Sequence, residues 1–150
     1  MYLMDITIIG AGAVGGYFGA RLYESGARVT LVARGETLRA VRERGVRVTD
    51  ARGAREVAVP VVGSLHEVER ADVVLVATEW AEFVELDPAA VARVARGRVL
   101  LDGRNCMPVQ AWQDAGWDYR ALGRGSTQLA GRADHWATDP MRRDALVQAG

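Results

Sequence analysis

Residues 5–34 read DITIIGAGAVGGYFGARLYESGARVTLVAR, and this stretch decides the fold. Residues 3–9 (LMDITII) are β-rich and almost continuously apolar, the pattern of a strand buried on both faces within a parallel sheet. Gly10 to Gly16 form a glycine-rich turn. Residues 13–25 follow as a helix, with Val14, Phe18 and Leu22 recurring along one face, and Ser25-Gly26 ends it. Residues 28–33 (RVTLVA) form a second short apolar strand. Strand, turn, helix and strand within about 30 residues make a βαβ unit.

The turn Gly10-Ala11-Gly12-Ala13-Val14-Gly15 fits G-x-G-x-x-G, and each glycine has its own task. The first permits the tight turn out of the strand. The second lacks a Cβ, so a pyrophosphate can approach the backbone. The third lets helix and strand pack closely. Phosphates would rest on the helix N-terminus, where free N–H groups and the helix dipole favour negative charge. The motif alone is weak, but here it follows a buried strand, opens a helix and precedes a second strand, the contexts that confirm it. It predicts a dinucleotide as the bound partner. The end of the second strand bears on which one. NAD-binding proteins place Asp or Glu there for the ribose 2′-hydroxyl, whereas an Arg accommodates a 2′-phosphate. Val32-Ala33-Arg34-Gly35 has no acid before Glu36, so Arg34 favours NADP(H), with NAD left open. The alternative is an ordinary exposed loop arginine. The expected cofactor-binding set is Gly10, Ala11, Gly12, Ala13, Val14, Gly15, Arg34 and, at the end of a later strand, Thr78.

Beyond this unit the pattern keeps alternating. Residues 36–44 read as a helix; 46–49 and 56–62 as a hairpin pair around a polar turn; 64–70 as a short helix with Ser64 as N-cap and Glu67 as its capping-box partner. Residues 72–77 (DVVLVA) are a third buried strand, 88–96 a helix opened by Pro88, 98–101 a strand, 108–115 a helix opened by Pro108, and 117–122 a last strand. Alternating strands and helices predict an α/β, doubly wound, mainly parallel sheet with helices on both faces. The expected organisation is a Rossmann-like domain over 1–122. The tail, 123–150, would be partly ordered, with a loosely held helix at 140–149.

With 150 residues, 49% of them apolar, the chain can bury a core. Its 19 basic and 19 acidic residues cancel, which gives no reason to expect nucleic acid or an anionic membrane surface as partner. Every basic residue is Arg, so no step here can use a lysine. No apolar run approaches the ~20 residues that span a bilayer, and Met1 to Asp5 read as the start of a strand rather than a signal peptide. The single cysteine, Cys106, permits no intrachain disulfide and suits a cytoplasmic protein.

Residues 5–49, with Tyr17-Phe18-Gly19-Ala20 and the VTLVARG strand end, resemble the N-terminal part of the ketopantoate reductase family. That resemblance implies NADPH-dependent reduction of a small 2-ketoacid, with Arg34 at the adenosine 2′-phosphate. Residues 71–87 (ADVVLVATEWAEFVELD) and 98–105 (RVLLDGRN), with Trp112, Tyr119 and Gly123-Arg124-Gly125, resemble the C-terminal, UDP-binding domain of UDP-glucose dehydrogenases. That second resemblance implies a UDP-sugar or nucleotide-binding module. The departures matter. Where ketopantoate reductases carry a lysine after the third strand, this chain has Thr78-Glu79-Trp80, and Asp102-Gly103-Arg104-Asn105 replaces their asparagine–glycine turn. Their helical second domain, with its catalytic lysine and acid, has no counterpart in these residues, nor has the dehydrogenase's catalytic cysteine. No catalytic residue is therefore assigned, and a separate substrate domain or a homodimer is the expected complement.

The turn 102–105 should sit at the carboxyl edge of the sheet. There Arg104 could reach a phosphate and Asn105 a ribose or substrate oxygen, with Glu79 beside them. Alternatively Asp102 simply caps local amides. Cys106 has no placed histidine partner and reads as a half-buried structural thiol. Asp134, His135 and Asp139 are too loosely grouped for a metal site, and none is assigned. Trp80, Trp112, Trp117 and Trp136 read as core and edge packing.

Overall fold

The βαβ unit forms as its pattern requires. A computed structural model describes residues 3–123. β1 (Asp5–Ile9), α1 (Ala13–Glu24) and β2 (Arg28–Val32) follow one another, and α2 (Gly35–Arg44) returns to the antiparallel hairpin β3 (Val46–Asp50) and β4 (Gly53–Val57). After β5 (Val61–Val62) come β6 (Ala71–Val76), one-turn helices α3 (Ala81–Val84) and α4 (Pro88–Val91), β7 (Ala95–Asp102), α5 (Val109–Asp114) and β8 (Asp118–Ala121). The six-stranded sheet has the order β5-β2-β1-β6-β7-β8, every pairing parallel. This is the strand order of a dinucleotide-binding Rossmann sheet, with its switch point between β1 and β6.

The two-residue period of the strands divides the core between the faces. Ile8 and Leu31 point to one side, where α1, α2 and the hairpin supply Ala20, Val41, Val46, Val48 and Val57. Ile9, Val32, Val74 and Val76 point to the other, against Phe83, Val91, Leu100, Trp112 and Trp117. Both central strands are therefore covered on both sides, which is why they read as unbroken apolar runs.

The helix face expected from Val14, Phe18 and Leu22 is overturned. Val14 and Phe18 are about half exposed, at 48% and 51%, and only Leu22 packs against the core. The buried face of α1 is instead Gly15, Gly16, Gly19 and Ala20. A Cβ on Gly19 would lie 2.6 Å from Leu31 Cδ2. Close approach, not apolar bulk, is what seats this helix, and it turns the larger side chains outward.

Other boundaries move for local reasons. The expected strand 56–62 is divided at Pro60, which has no amide to donate: β4 pairs with β3, while β5 pairs with β2 in the main sheet. The expected capping box is absent. Ser64 makes no side-chain cap, Glu67 Oε1 accepts from the Gly63 amide at 3.1 Å, and the segment is a 3-10 turn over Leu65–Glu67. The helix expected over 88–96 ends at Val91, because β7 begins early at Ala95, opposite Ala71. Irregular pairing follows, and at Gly97 a Cβ would lie 2.2 Å from the Asp72 carbonyl oxygen. Trp112 and Trp117 are core, in edge-to-face contact at 4.9 Å, whereas Trp80 is 53% exposed. The tail from 124 onward, including Trp136 and the Asp134, His135 and Asp139 group, lies outside the described residues. Among those described, no helix is long and apolar enough to cross a membrane.

Two polar devices fix the edges. Arg55 on β4 donates to Glu24 Oε2 at 2.7 Å and to Asp50 Oδ1 at 3.0 Å, tying the hairpin to the end of α1. Asp102 at the end of β7, 1% exposed, accepts from the amides of Arg104 (2.9 Å) and Met107 (2.8 Å) and from the Tyr119 hydroxyl (2.8 Å). Burial pushes its carboxyl up, but the hydrogen bonds from Met107, Tyr119, Arg104 and Asn105 outweigh that and hold it below the usual carboxylate range.

The Arg55 hydrogen bonds, acting against desolvation, pull the Glu24 carboxyl down to about 2. An NMR titration should find it there and find it raised in Arg55→Met, where the Arg21 hydrogen bond still holds it below the ordinary value; an unshifted Glu24 in the unmodified protein would contradict the clamp. Asp102→Asn turns an acceptor into a donor facing donors and should cost about 3 kcal/mol in a denaturant melt. Because the Asp102 carboxyl is depressed, its stabilisation is complete above 3.8 and is lost as pH falls through the lower folded-state value. The Asn variant should lack that acid-side component.

Candidate functional site

The site is built where the chain changes direction. β1 leads through α1 to β2 on one side, whereas β6 leads to β7 on the other, so a crevice opens beyond the carboxyl ends of β1 and β6. Gly10 continues the sheet, its amide donating to Val32 O at 2.9 Å, and then turns with φ +98°. That positive φ favours glycine. A Cβ there would also lie 2.7 Å from the Thr78 Cβ. Gly15 is needed more strictly, since its Cβ would fall 1.8 Å from the Gly10 carbonyl oxygen. The protein's own packing thus explains two of the three motif glycines.

Gly12 is different. It caps α1 in an extended conformation (φ −71°, ψ −162°), and a Cβ on it would meet nothing within 4 Å. Nothing inside the described chain requires glycine at this position; the space before it is open. The helix ladder starts with Gly16 donating to Gly12 O at 2.8 Å, so the amides of Ala13, Val14 and Gly15 precede it. No acid lies in the first turn of α1 to oppose an anion. A pyrophosphate fits this cradle.

Gly10, Ala11, Gly12, Arg34 and Thr78 line one cleft, together with Val32, Ala33, Thr37, Ala77, Trp80 and Phe83. Ala13 lines the adjoining groove between α1, α2 and the hairpin. Val14 points outward and Gly15 lies beneath the turn, so these two contribute backbone only. Arg34 stands at the N-cap of α2, pairs with Glu82, and lies with its guanidinium carbon 5.4 Å from the Phe83 ring centroid. Trp80 stacks on Phe83 at 6.4 Å with an interplanar angle of 18°. Sequence reasoning missed Trp80 and Phe83 as cleft residues, and Glu82 as the partner of Arg34, because α3 is a single turn, too short for periodicity to register. The aromatic spacing at 80 and 83 is the signal that could have found them.

Glu79, Arg104 and Asn105 do not line this cleft. Arg104 pairs with Glu79 at 3.1 Å, and the Asn105 side-chain amide donates to Leu122 O at 2.8 Å. Asp102 caps local amides, as the plainer of the two sequence readings had it. The Cys106 Sγ lies 3.6 Å from Thr78 O and 3.9 Å from Asp102 Oδ1. Burial and the Asp102 charge push its thiol up, which suits an unreactive structural side chain. Among the described residues no group of three or more His, Cys, Asp or Glu is arranged to hold a metal ion.

The model of the ketopantoate reductase PanE/ApbA family matches residues 6–101, through β7 and therefore across part of the stretch that resembles UDP-glucose dehydrogenase. A structure from Ralstonia solanacearum MolK2 classed as a ketopantoate reductase is 35% identical, with a TM-score of 0.57, over 68% of this chain and 32% of that one. The 2-dehydropantoate 2-reductase of Methylococcus capsulatus is 27% identical, with a TM-score of 0.57, over 79% of this chain and 40% of that one. UDP-glucose 6-dehydrogenase TuaD of Bacillus subtilis (strain 168) is 34% identical over 56 residues, 37% of this chain and 12% of that protein. The chain thus spans about an eighth of the curated relatives it matches and about a third of the solved ones. Its described residues form an NAD(P)-binding domain of oxidoreductase type, and the chain belongs to the ketopantoate reductase PanE/ApbA family.

Proposed function

We propose that this chain binds NADP(H) in preference to NAD(H), with the pyrophosphate over Gly12 and the adenosine 2′-phosphate at Arg34. The observation that carries this reading is the open space in front of Gly12, where the absence of a Cβ serves no contact among the described residues. Arg34 supports the choice of cofactor, since a guanidinium fork matches a phosphate and no acid stands at the end of β2. When bound, the nicotinamide would supply hydride for reduction of a small 2-ketoacid, the chemistry named for the relatives.

The residues described here do the holding. The α1 amides would donate to the pyrophosphate oxygens. Thr78 and Ala77 wall the cleft on the β6 side, and Trp80 and Phe83 cover its edge against water. Groups that bind the ketoacid and move its proton would come from a separate domain or a second copy. A second reading, a UDP-sugar held near Glu79, Arg104 and Asn105, draws on the short matches to UDP-glucose 6-dehydrogenases. It would require the Glu79–Arg104 pair to open.

Two glycine substitutions separate folding from binding. Gly12→Ala should cost about 1 kcal/mol or less in stability, as an N-cap change, yet weaken NADPH at least roughly 10-fold in a tryptophan-fluorescence titration. Gly15→Ala should cost about 3 kcal/mol, because its Cβ collides with backbone. Unchanged NADPH affinity in a folded Gly12→Ala protein would overturn the pyrophosphate placement. Arg34→Asp should weaken NADPH by roughly 10- to 100-fold, the range for a hydrogen-bonded charge, and NADH far less. Equal losses for both nucleotides would remove the 2′-phosphate assignment. Saturable UDP-glucose binding that disappears in Arg104→Ala, without NADPH binding, would establish the second reading instead.

A further inference from the structure

Arg34 is already engaged in the free protein. Its side chain crosses from the end of β2 to α3, where it pairs with Glu82 at a sequence separation of 48 residues. The guanidinium lies over Phe83, which is 3% exposed and therefore a fixed platform. The contact with Phe83 consumes no N–H donor, since an aromatic ring attracts the cation as a whole, whereas the ion pair is made through the Nη1 donor. A 2′-phosphate needs such donors. Arg34 and Glu82 are part-exposed, at 49% and 38%, so a ligand can reach the pair from solvent.

We propose that Glu82 is a specificity-determining residue of the dinucleotide site: its carboxylate takes the Nη1 donor of Arg34, and a 2′-phosphate that engages the guanidinium through that nitrogen must displace it. Glu82 thereby lowers the affinity for a 2′-phosphorylated dinucleotide and leaves the unphosphorylated one untouched by this route. Phe83 holds the guanidinium in the cleft in both states, so the exchange needs no movement of the backbone. The proposal rests on the cleft being a dinucleotide site.

Titration of the full chain with NADPH and NADH by isothermal calorimetry tests it in four proteins: unmodified, Glu82→Gln, Arg34→Gln and the double variant. Glu82→Gln should tighten NADPH about 5-fold, the upper range for releasing an exposed ion pair, and change NADH less than about 2-fold. In the Arg34→Gln background the same substitution should move NADPH less than about 2-fold, since no guanidinium remains to be freed. Unchanged or weaker NADPH binding in Glu82→Gln, an equal gain for both nucleotides, or a gain that persists without Arg34 would each overturn the role of Glu82. Arg34-dependent NADPH binding with a neutral Glu82→Gln defeats this proposal alone. Absence of binding for both nucleotides in the unmodified protein defeats the dinucleotide reading and this proposal with it.

Discussion

The contact between Gly15 and the Gly10 carbonyl holds the rest of the site in place. It lets the first turn of α1 approach the end of β1 until no side chain could fit at Gly15. That approach sets the helix N-terminus at the carboxyl edge of the sheet and aims its first amides into the crevice between β1 and β6. It also inverts the usual division of a surface helix. The small residues are buried and Val14, Tyr17 and Phe18 face outward. Packing here contributes position more than buried area, and position is what anion binding at a helix end depends on.

Polar interactions then fix what close packing leaves loose. Arg55 bridges α1 and the hairpin through Glu24 and Asp50, and Asp102 joins the turn after β7 to β8 through Tyr119. Neither lines the cleft. Across the cleft itself, Arg34 and Glu82 join the two sides of the switch point, β2 and α3. The same arginine is both a structural tie in the free protein and the cation best placed for a phosphate.

Much of this was legible in the sequence, and the failures share a cause. The parallel sheet could be read because its central strands are buried on both faces and so appear as mostly apolar runs at 6–9 and 73–76. The glycine loop could be read because it sits between a buried strand and a helix, with Gly10 and Gly15 answering steric demands of the fold and Gly12 at the open end of α1. The packing face of α1 could not, because hydrophobic periodicity detects bulk and this face works through its absence. The aromatic edge at Trp80 and Phe83 sits on a helix of one turn, where no period exists to detect. The Arg34–Glu82 pair joins residues that only the topology of the fold brings together. The ends at 64, 91 and 95 were set by tertiary pairing against β6 and by the Gly63–Glu67 bond, which local propensity does not register.

The open space before Gly12 is our proposed seat for a pyrophosphate. A crystal structure of the chain grown with NADPH tests it most directly. The account predicts pyrophosphate oxygens within hydrogen-bond distance of the Ala13 and Val14 amides, and a 2′-phosphate on Arg34 with Glu82 displaced from it. A nucleotide bound elsewhere, at Arg104 and Asn105 for example, or no bound nucleotide at saturating concentration, would contradict it.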